Sequence, residues 1–506
     1  MNTALLLELQ AKLLPNKTAI VHENENITFK ELDETINRLA HYFLRKGIKQ
    51  GTKVMLFIRP SIDLSATTFA LFKVGAIPIF IDPGMGFKNL LRAVTEVAPG
   101  ALIANPLVYV LSWVFRRAFA MVGIKLVCTG IREASRVESS SFRLYDASED
   151  EMAAIIFTSG GTGKPKGVVY THKIFTTQTK LLQEMYSLTS DDVDCPCFSL
   201  FSFFTLAMGL TSYLPDMNHV SPKKTDPRKI VSNLIENKTT FASGSPAIWD
   251  KVADYCNLQG IQLPFLKSLV MFGAPVALDM HKKWQKILPN GTTYTPYGAS
   301  ESLPITNISG RYIIENTADM TLKGAGTCVG AAVPSVEVRI FNGDEIIVSG
   351  DTTTKEYYNE KEATSTSKIE IDGKLWHKVG DVGTIDNEGR IWFWGRKDHV
   401  VNLADTKMYP IPCETVFSRN QNIKRAALVG PLLGGKTVPT LVVELKDGST
   451  KMTSELLSDL HKIRNEYEHT RPIEKFYIKK SFPVDVRHNI KIDRIRLRKW
   501  VEDKFK

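Results

Sequence analysis

Hydrophobic positions in the first hundred residues change period in a way that predicts alternating helices and strands. Leu32, Ile36, Leu39, Ala40, Phe43 and Leu44 fall on one face of a helix with 3.6 residues per turn. Thr28-Phe-Lys-Glu31 precedes that run as a capping box, and Gly47 supplies the stop. Val54–Ile58 and Ile77–Ile81 are continuous apolar runs of strand length, with a helix predicted near Leu64–Val74 between them. Strand–helix–strand units of this kind predict a parallel sheet whose binding crevice lies at the strand ends. Farther along, strict alternation takes over. Val336–Ile340 and Glu345–Val348 read as a hairpin turning at Asn342-Gly343, and Gly383–Trp394 as another turning at Asp386–Gly389. A mixed tail of about one hundred residues follows Gly395-Arg-Lys-Asp398, the size of a small domain. The expected class is α/β: a large N-terminal domain of parallel βαβ sheets with a β-rich subdomain, residues 1–397, and a small α+β C-terminal domain, residues 398–506.

Composition adds bounds. A chain of 506 residues exceeds what one core usually serves, and 43% hydrophobic with 23% charged residues is ordinary globular material. The formal charge of +10 is small beside 64 basic and 54 acidic residues spread along the chain. An anionic small molecule or membrane surface explains it as well as nucleic acid does, and no nucleic-acid partner is expected. The basic stretch Lys491–Lys499 reads as a solvated helix face. Six cysteines lack metal-ligand spacing and read as reduced thiols of a cytoplasmic protein; the N-terminus shows no secretory signal. Two uncharged stretches, Val97–Phe115 and Cys195–Pro215, carry prolines and glycines that a spanning helix would not, so both read as buried core or pocket wall. A second reading of Leu107–Leu126, with Arg116-Arg117 amid aromatics, is a peripheral contact with a bilayer surface.

The sharpest chemical signal is Thr158-Ser-Gly-Gly-Thr-Gly-Lys-Pro-Lys-Gly167, directly after the apolar run Ala153–Phe157. Small residues let backbone wrap phosphate oxygens, while hydroxyls and lysines add donors and charge. Pro165 distinguishes it from the ordinary P-loop. A formal P-loop match at Gly430–Thr437 is rejected, because Val438–Glu444 after it reads as a strand rather than a helix.

With the motifs downstream, this loop resembles that of the adenylate-forming superfamily of acyl-CoA synthetases, luciferases and peptide-synthetase adenylation domains. The resemblance implies that Thr158, Ser159, Gly160, Gly161, Thr162, Gly163, Lys164 and Lys166 cradle the phosphates of ATP. It further implies that Gly273-Ala274-Pro275 and Tyr297-Gly298 flank adenine, with Ser300 in the place of a usual Thr and Glu301 holding Mg²⁺. Asp381 would accept both ribose hydroxyls and Arg396 would lie near ribose and phosphate. Asp398 would be the hinge of a mobile C-terminal domain that carries the catalytic Lys491. Gly161 replaces the usual Ser or Thr, and Ile490 replaces the Gly usual before the lysine.

Within that superfamily, Ile81–Gly86, Gly324–Gly330, Ile411-Pro-Cys-Glu414 and Phe482–Asn489 resemble the β-lactone synthetases of bacterial long-chain olefin biosynthesis. The implied reaction is adenylation of a 2-alkyl-3-hydroxy fatty acid, whose own hydroxyl then displaces AMP. The apolar stretch Phe198–Leu214, with Phe201, Phe204 and Met208, is expected to line the acyl chain; His488 is a candidate aid to ring closure. Assembly with other olefin-pathway enzymes is expected by analogy. Two alternatives stay open: a long-chain acyl-CoA ligase, which would add CoA as acceptor, and a non-catalytic acyl-nucleotide sensor.

Overall fold

The N-terminal part is built on two large sheets. The computed structural model describes residues 1–81, 83–158, 165–219, 222–484 and 492–504. The first sheet has six strands in the order Ile124–Val127, Ala101–Ala104, Lys53–Phe57, Ile77–Ile81, Met152–Thr158 and Lys166–Thr171. All neighbours are parallel except the last pair, a hairpin in which Thr158 faces Lys166. The fully apolar sequences of Ile77–Ile81 and Ala101–Ala104 follow from burial on both faces, the usual condition of parallel sheets.

The second sheet has fourteen strands. Its parallel half runs through Thr18–His22, Thr211–Leu214, Val193–Pro196, Phe241–Gly244, Ser268–Met271 and Thr292–Ala299. A hairpin from Thr292–Ala299 to Ser302–Ser309 reverses direction, and antiparallel pairing continues to Val336–Phe341. The β-rich region therefore extends this sheet rather than standing apart from it. Both predicted hairpins form, and Asn342 and Gly343 take φ of 51° and 91°, as a tight turn between twisted strands requires.

The helix Phe29–Arg45 packs Leu32, Ile36, Leu39, Ala40 and Phe43 into the core. Its capping box is formed: Glu31 N–H donates to Thr28 Oγ1 at 3.2 Å and Thr28 N–H to Glu31 Oε2 at 2.9 Å. Leu44 departs from expectation and is 44% exposed, because the helix ends one residue later and its last turn overhangs the core.

After residue 400 a three-stranded sheet, Ile423–Val429, Thr440–Leu445 and Lys475–Ile478, packs against helices Pro410–Phe417, Ser454–Glu466 and Arg494–Glu502. Its cores draw on Val401, Phe417, Leu428 and Leu441 on one face and on Val442, Leu497 and Val501 on the other. The rejected P-loop match is a small hairpin between antiparallel strands. Arg494 corrects the reading of a solvated basic face: it grips buried Glu414 through bonds of 2.6 and 2.8 Å. All six cysteines are free and buried. Among the described residues no helix is long and apolar enough to cross a membrane. Val97–Phe115 divides into a buried strand, Ala101–Ala104, and a helix, Pro106–Val114, with a largely exposed apolar face; the helix flanks the sheet near its edge and is covered on one side only.

Candidate active site

Asp381 and Arg396 are directly opposed across the antiparallel pair Lys374–Ile385 and Arg390–Arg396. Arg396 Nη1 donates to Asp381 Oδ1 at 2.8 Å and to the Val379 carbonyl at 3.1 Å. Tyr297 O–H donates to the other carboxylate oxygen, Oδ2, at 2.7 Å. Burial and the adjacent Asp381 charge hold the Tyr297 phenol well above its ordinary value, so it stays a neutral donor. Burial works against the Arg396 charge, and Asp381 outweighs it, raising the guanidinium. Gly380, at φ 76°, sits under this pair, where a Cβ would lie 3.1 Å from Arg396 Nη2.

Glu301 stands in the two-residue turn between Thr292–Ala299 and Ser302–Ser309. Gly298 is required there: an added Cβ would meet the Ser302 carbonyl at 2.7 Å. The Ser300 carbonyl accepts from Tyr170 O–H at 2.8 Å, which pins the turn to the first sheet. Residues 353–358 stitch the two sheets together. Thr354 N–H donates to the Glu301 carbonyl at 2.8 Å, and Tyr358 N–H to the Gly167 carbonyl at 2.7 Å. Tyr357 O–H then donates to Glu301 Oε1 at 2.6 Å, and Lys166 Nζ lies 4.9 Å from the centre of the Tyr357 ring. Lys368 donates to the Thr354 carbonyl from a buried position; burial lowers its ammonium to about 8, against the opposing pull of Glu301.

Gly273, Ala274 and Pro275 follow the strand Ser268–Met271, and Phe272 before them joins an aromatic cluster. Phe272 stacks on Phe201 at 5.7 Å and meets Phe198 edge-on at 5.5 Å; Phe201 in turn touches Phe204 at 5.9 Å. Met208 is buried beside them with Leu182 and Tyr186. The predicted acyl wall thus adjoins the loop that carries the predicted adenine wall.

Tyr297, Asp381 and Arg396 are brought into one bonded cluster, and Glu301 and Lys166 are joined through Tyr357. Asp398 lies exposed in the short helical turn Lys397–His399, directly after Arg396. Thr158 ends its strand. Ser159, Gly160, Gly161, Thr162, Gly163 and Lys164 lie outside the described residues, as do His488 and Lys491. Tyr357, Phe272 and Lys368 went unnoticed in the sequence. Lys355–Asn359 carries no motif, and long-range backbone contacts, the bridge between Val168 and Tyr357 among them, bring that ring to the site.

Among the described residues no three metal-ligating side chains cluster. A lone carboxylate such as Glu301 suits Mg²⁺, which keeps water and takes phosphate oxygens, better than it suits a metal needing a full protein cage. Among the described residues, Glu301 Oε2 has no hydrogen-bond donor, so one carboxylate oxygen fits that role.

The AMP-binding enzyme family matches residues 7–358. An olefin β-lactone synthetase from Xanthomonas campestris pv. campestris is 37% identical, with 94% of this chain and 90% of that protein covered. Another from Stenotrophomonas maltophilia is 36% identical, covering 94% and 91%. ATP-bound MatB from Rhodopseudomonas palustris shares the fold at TM-score 0.82 and 21% identity, covering the whole of both chains. A Mycobacterium tuberculosis fatty acyl CoA synthetase does so at TM-score 0.77 and 18% identity, covering 99% of each. The chain belongs to the AMP-binding enzyme family and is an adenylate-forming ligase.

Proposed function

We propose that this ligase activates a long-chain 2-alkyl-3-hydroxy fatty acid with ATP and closes the acyl-adenylate to a β-lactone. The adenylation half is carried by one observation: Tyr297 and Arg396 converge on the acceptor-only carboxylate of Asp381, at the edge where the Glu301 turn and the phosphate hairpin meet. A carboxylate only accepts and can take several donors at once, a chemistry that suits two ribose hydroxyls. The lactone half is supported by the 36–37% likeness to olefin β-lactone synthetases over nearly the full chain.

In the first step the substrate carboxylate attacks the α-phosphorus and the bond to pyrophosphate breaks. Glu301, oriented by Tyr357, would hold Mg²⁺, which when bound offsets charge on the phosphate oxygens. Lys166 presents a cation at the base of the phosphate loop. Lys491 is assigned the second cation, carried by residues 398–506 as they rotate about Asp398. In the second step the 3-hydroxyl oxygen attacks the acyl carbon, its proton passes to a base or solvent, and the acyl–oxygen bond to AMP breaks. Holding both groups in one molecule makes the hydroxyl competitive with water. The cluster Phe201, Phe204 and Met208 is assigned to the acyl chain, with no carboxylate in Phe198–Leu214 to pair an amino group.

The reading is tested with a substrate pair. The 3-hydroxy acid should support ATP–pyrophosphate exchange and yield lactone plus AMP. Its 3-deoxy analogue should support exchange alone. Exchange with neither acid would overturn the proposal, and free acid as the sole product from the hydroxy acid would overturn its second half.

A further inference from the structure

The helix Pro106–Val114 leaves Leu107, Val110, Trp113 and Val114 at 58–69% exposure. At about 100° per residue these four positions occupy an arc of roughly 120°, the whole outward face. The patch continues: Phe115 packs edge-on against Phe87 at 4.9 Å, Phe87 is itself 49% exposed, and Met121 just beyond is 69% exposed. Contiguous apolar surface of this kind marks a contact site rather than ordinary scatter.

The exposed charged residues that flank it along the chain are one-signed. Lys88, Arg92, Arg116 and Arg117 are exposed, and Lys125 Nζ lies 4.0 Å from the centre of the Trp113 ring. Between residues 83 and 127 the sequence has a single acid, Glu96. Two copies of this chain meeting through the patch would oppose like charges. An anionic sheet would neutralise them. Trp113 adds a ring with an apolar body and a polar N–H, suited to a boundary between hydrocarbon and water.

We propose that this face docks on an anionic lipid bilayer. The helix lies in the plane of the headgroups, with Leu107, Val110, Trp113 and Val114 turned toward the acyl region and the flanking cations at the lipid phosphates. Docking of this kind does not depend on the lactone chemistry, so it is read without turnover.

The test is co-sedimentation of the full chain with phosphatidylcholine vesicles, alone or containing roughly one-third phosphatidylglycerol. Binding is expected to the anionic vesicles and to fall about tenfold as salt screens the flanking charges. Val110→Glu with Trp113→Glu should weaken it about tenfold or more, with thermal melting and ATP–pyrophosphate exchange unchanged. Should that variant misfold, Arg116→Ala with Arg117→Ala leaves the apolar face intact and should still weaken binding to anionic vesicles. No binding by the unaltered chain, equal binding by the variants, or a dimer that the glutamates convert to monomer would each overturn the proposal.

Discussion

Tyr357 bonds Glu301, the proposed Mg²⁺ ligand, from outside the motif that supplies the carboxylate. A hydrogen bond to a charged group contributes about 1.5–3 kcal/mol, so Tyr357→Phe should lower adenylation roughly 10–100-fold. Because its role is positioning, the variant should also need more Mg²⁺ for half-maximal rate. An unchanged Mg²⁺ requirement in ATP–pyrophosphate exchange would remove Tyr357 from the site. Glu301→Gln should cost more, about 10²–10³-fold, the scale of losing one aimed transition-state contact. Gly298 is constrained by space alone: Gly298→Ala drives a Cβ against the Ser302 carbonyl and should cost about 1–3 kcal/mol, read from urea unfolding.

At the scale of elements, the parts legible in the sequence are those whose reasons are local. The capping box at Thr28, the apolar stripe behind it, and the hairpins at Asn342-Gly343 and Asp386–Gly389 depend on neighbours within a few residues. So does the rejection of Gly430–Thr437, which needs only the β-branched run after it. What escaped depends on distant partners. Tyr357 reaches Glu301 across 56 residues of chain, and the β-rich region joins the second sheet only because one hairpin reverses its direction. Arg494 reads as solvated until Glu414, 80 residues earlier, is placed against it. That pair makes a prediction for the C-terminal cores: Arg494→Met leaves a buried carboxylate without its cation. Loss of one partner of a buried pair costs about 3–5 kcal/mol. Hydrogen exchange in Ile423–Val429 and Thr440–Leu445 should accelerate accordingly. Unaltered protection there would mean the pair contributes little.

Across the whole molecule, burial sets the response to acid. His172, His219, His281 and His399 are each pushed down to about 4, with burial as the main cause. Below about 6.5 the unfolded chain protonates them while the fold does not, so their contribution to stability falls as pH drops from about 6.5 to about 4. Asp194 acts in the opposite sense: burial raises it to about 7, so acidification toward its unfolded value of 3.8 favours the fold. One histidine is isolated by difference. Relative to His281→Asn, the unaltered chain should lose about 1.4 kcal/mol per pH unit across that window. Parallel curves for the two proteins would refute the assignment.

The same molecular scale carries the central claim, that the bound acyl-adenylate closes on its own hydroxyl without an external thiol. Residues 398–506 bear Lys491 and meet the second sheet through Tyr409 O–H and Lys407 Nζ, both bonded to Asp344, at 3.0 and 2.8 Å. The most direct test is product analysis of a 2-alkyl-3-hydroxy fatty acid incubated with the enzyme, ATP and Mg²⁺, with and without CoA. Closure on the internal hydroxyl predicts β-lactone and AMP in equal amounts in both reactions, with no thioester. Thioester formed only when CoA is present, and no lactone in its absence, would contradict it.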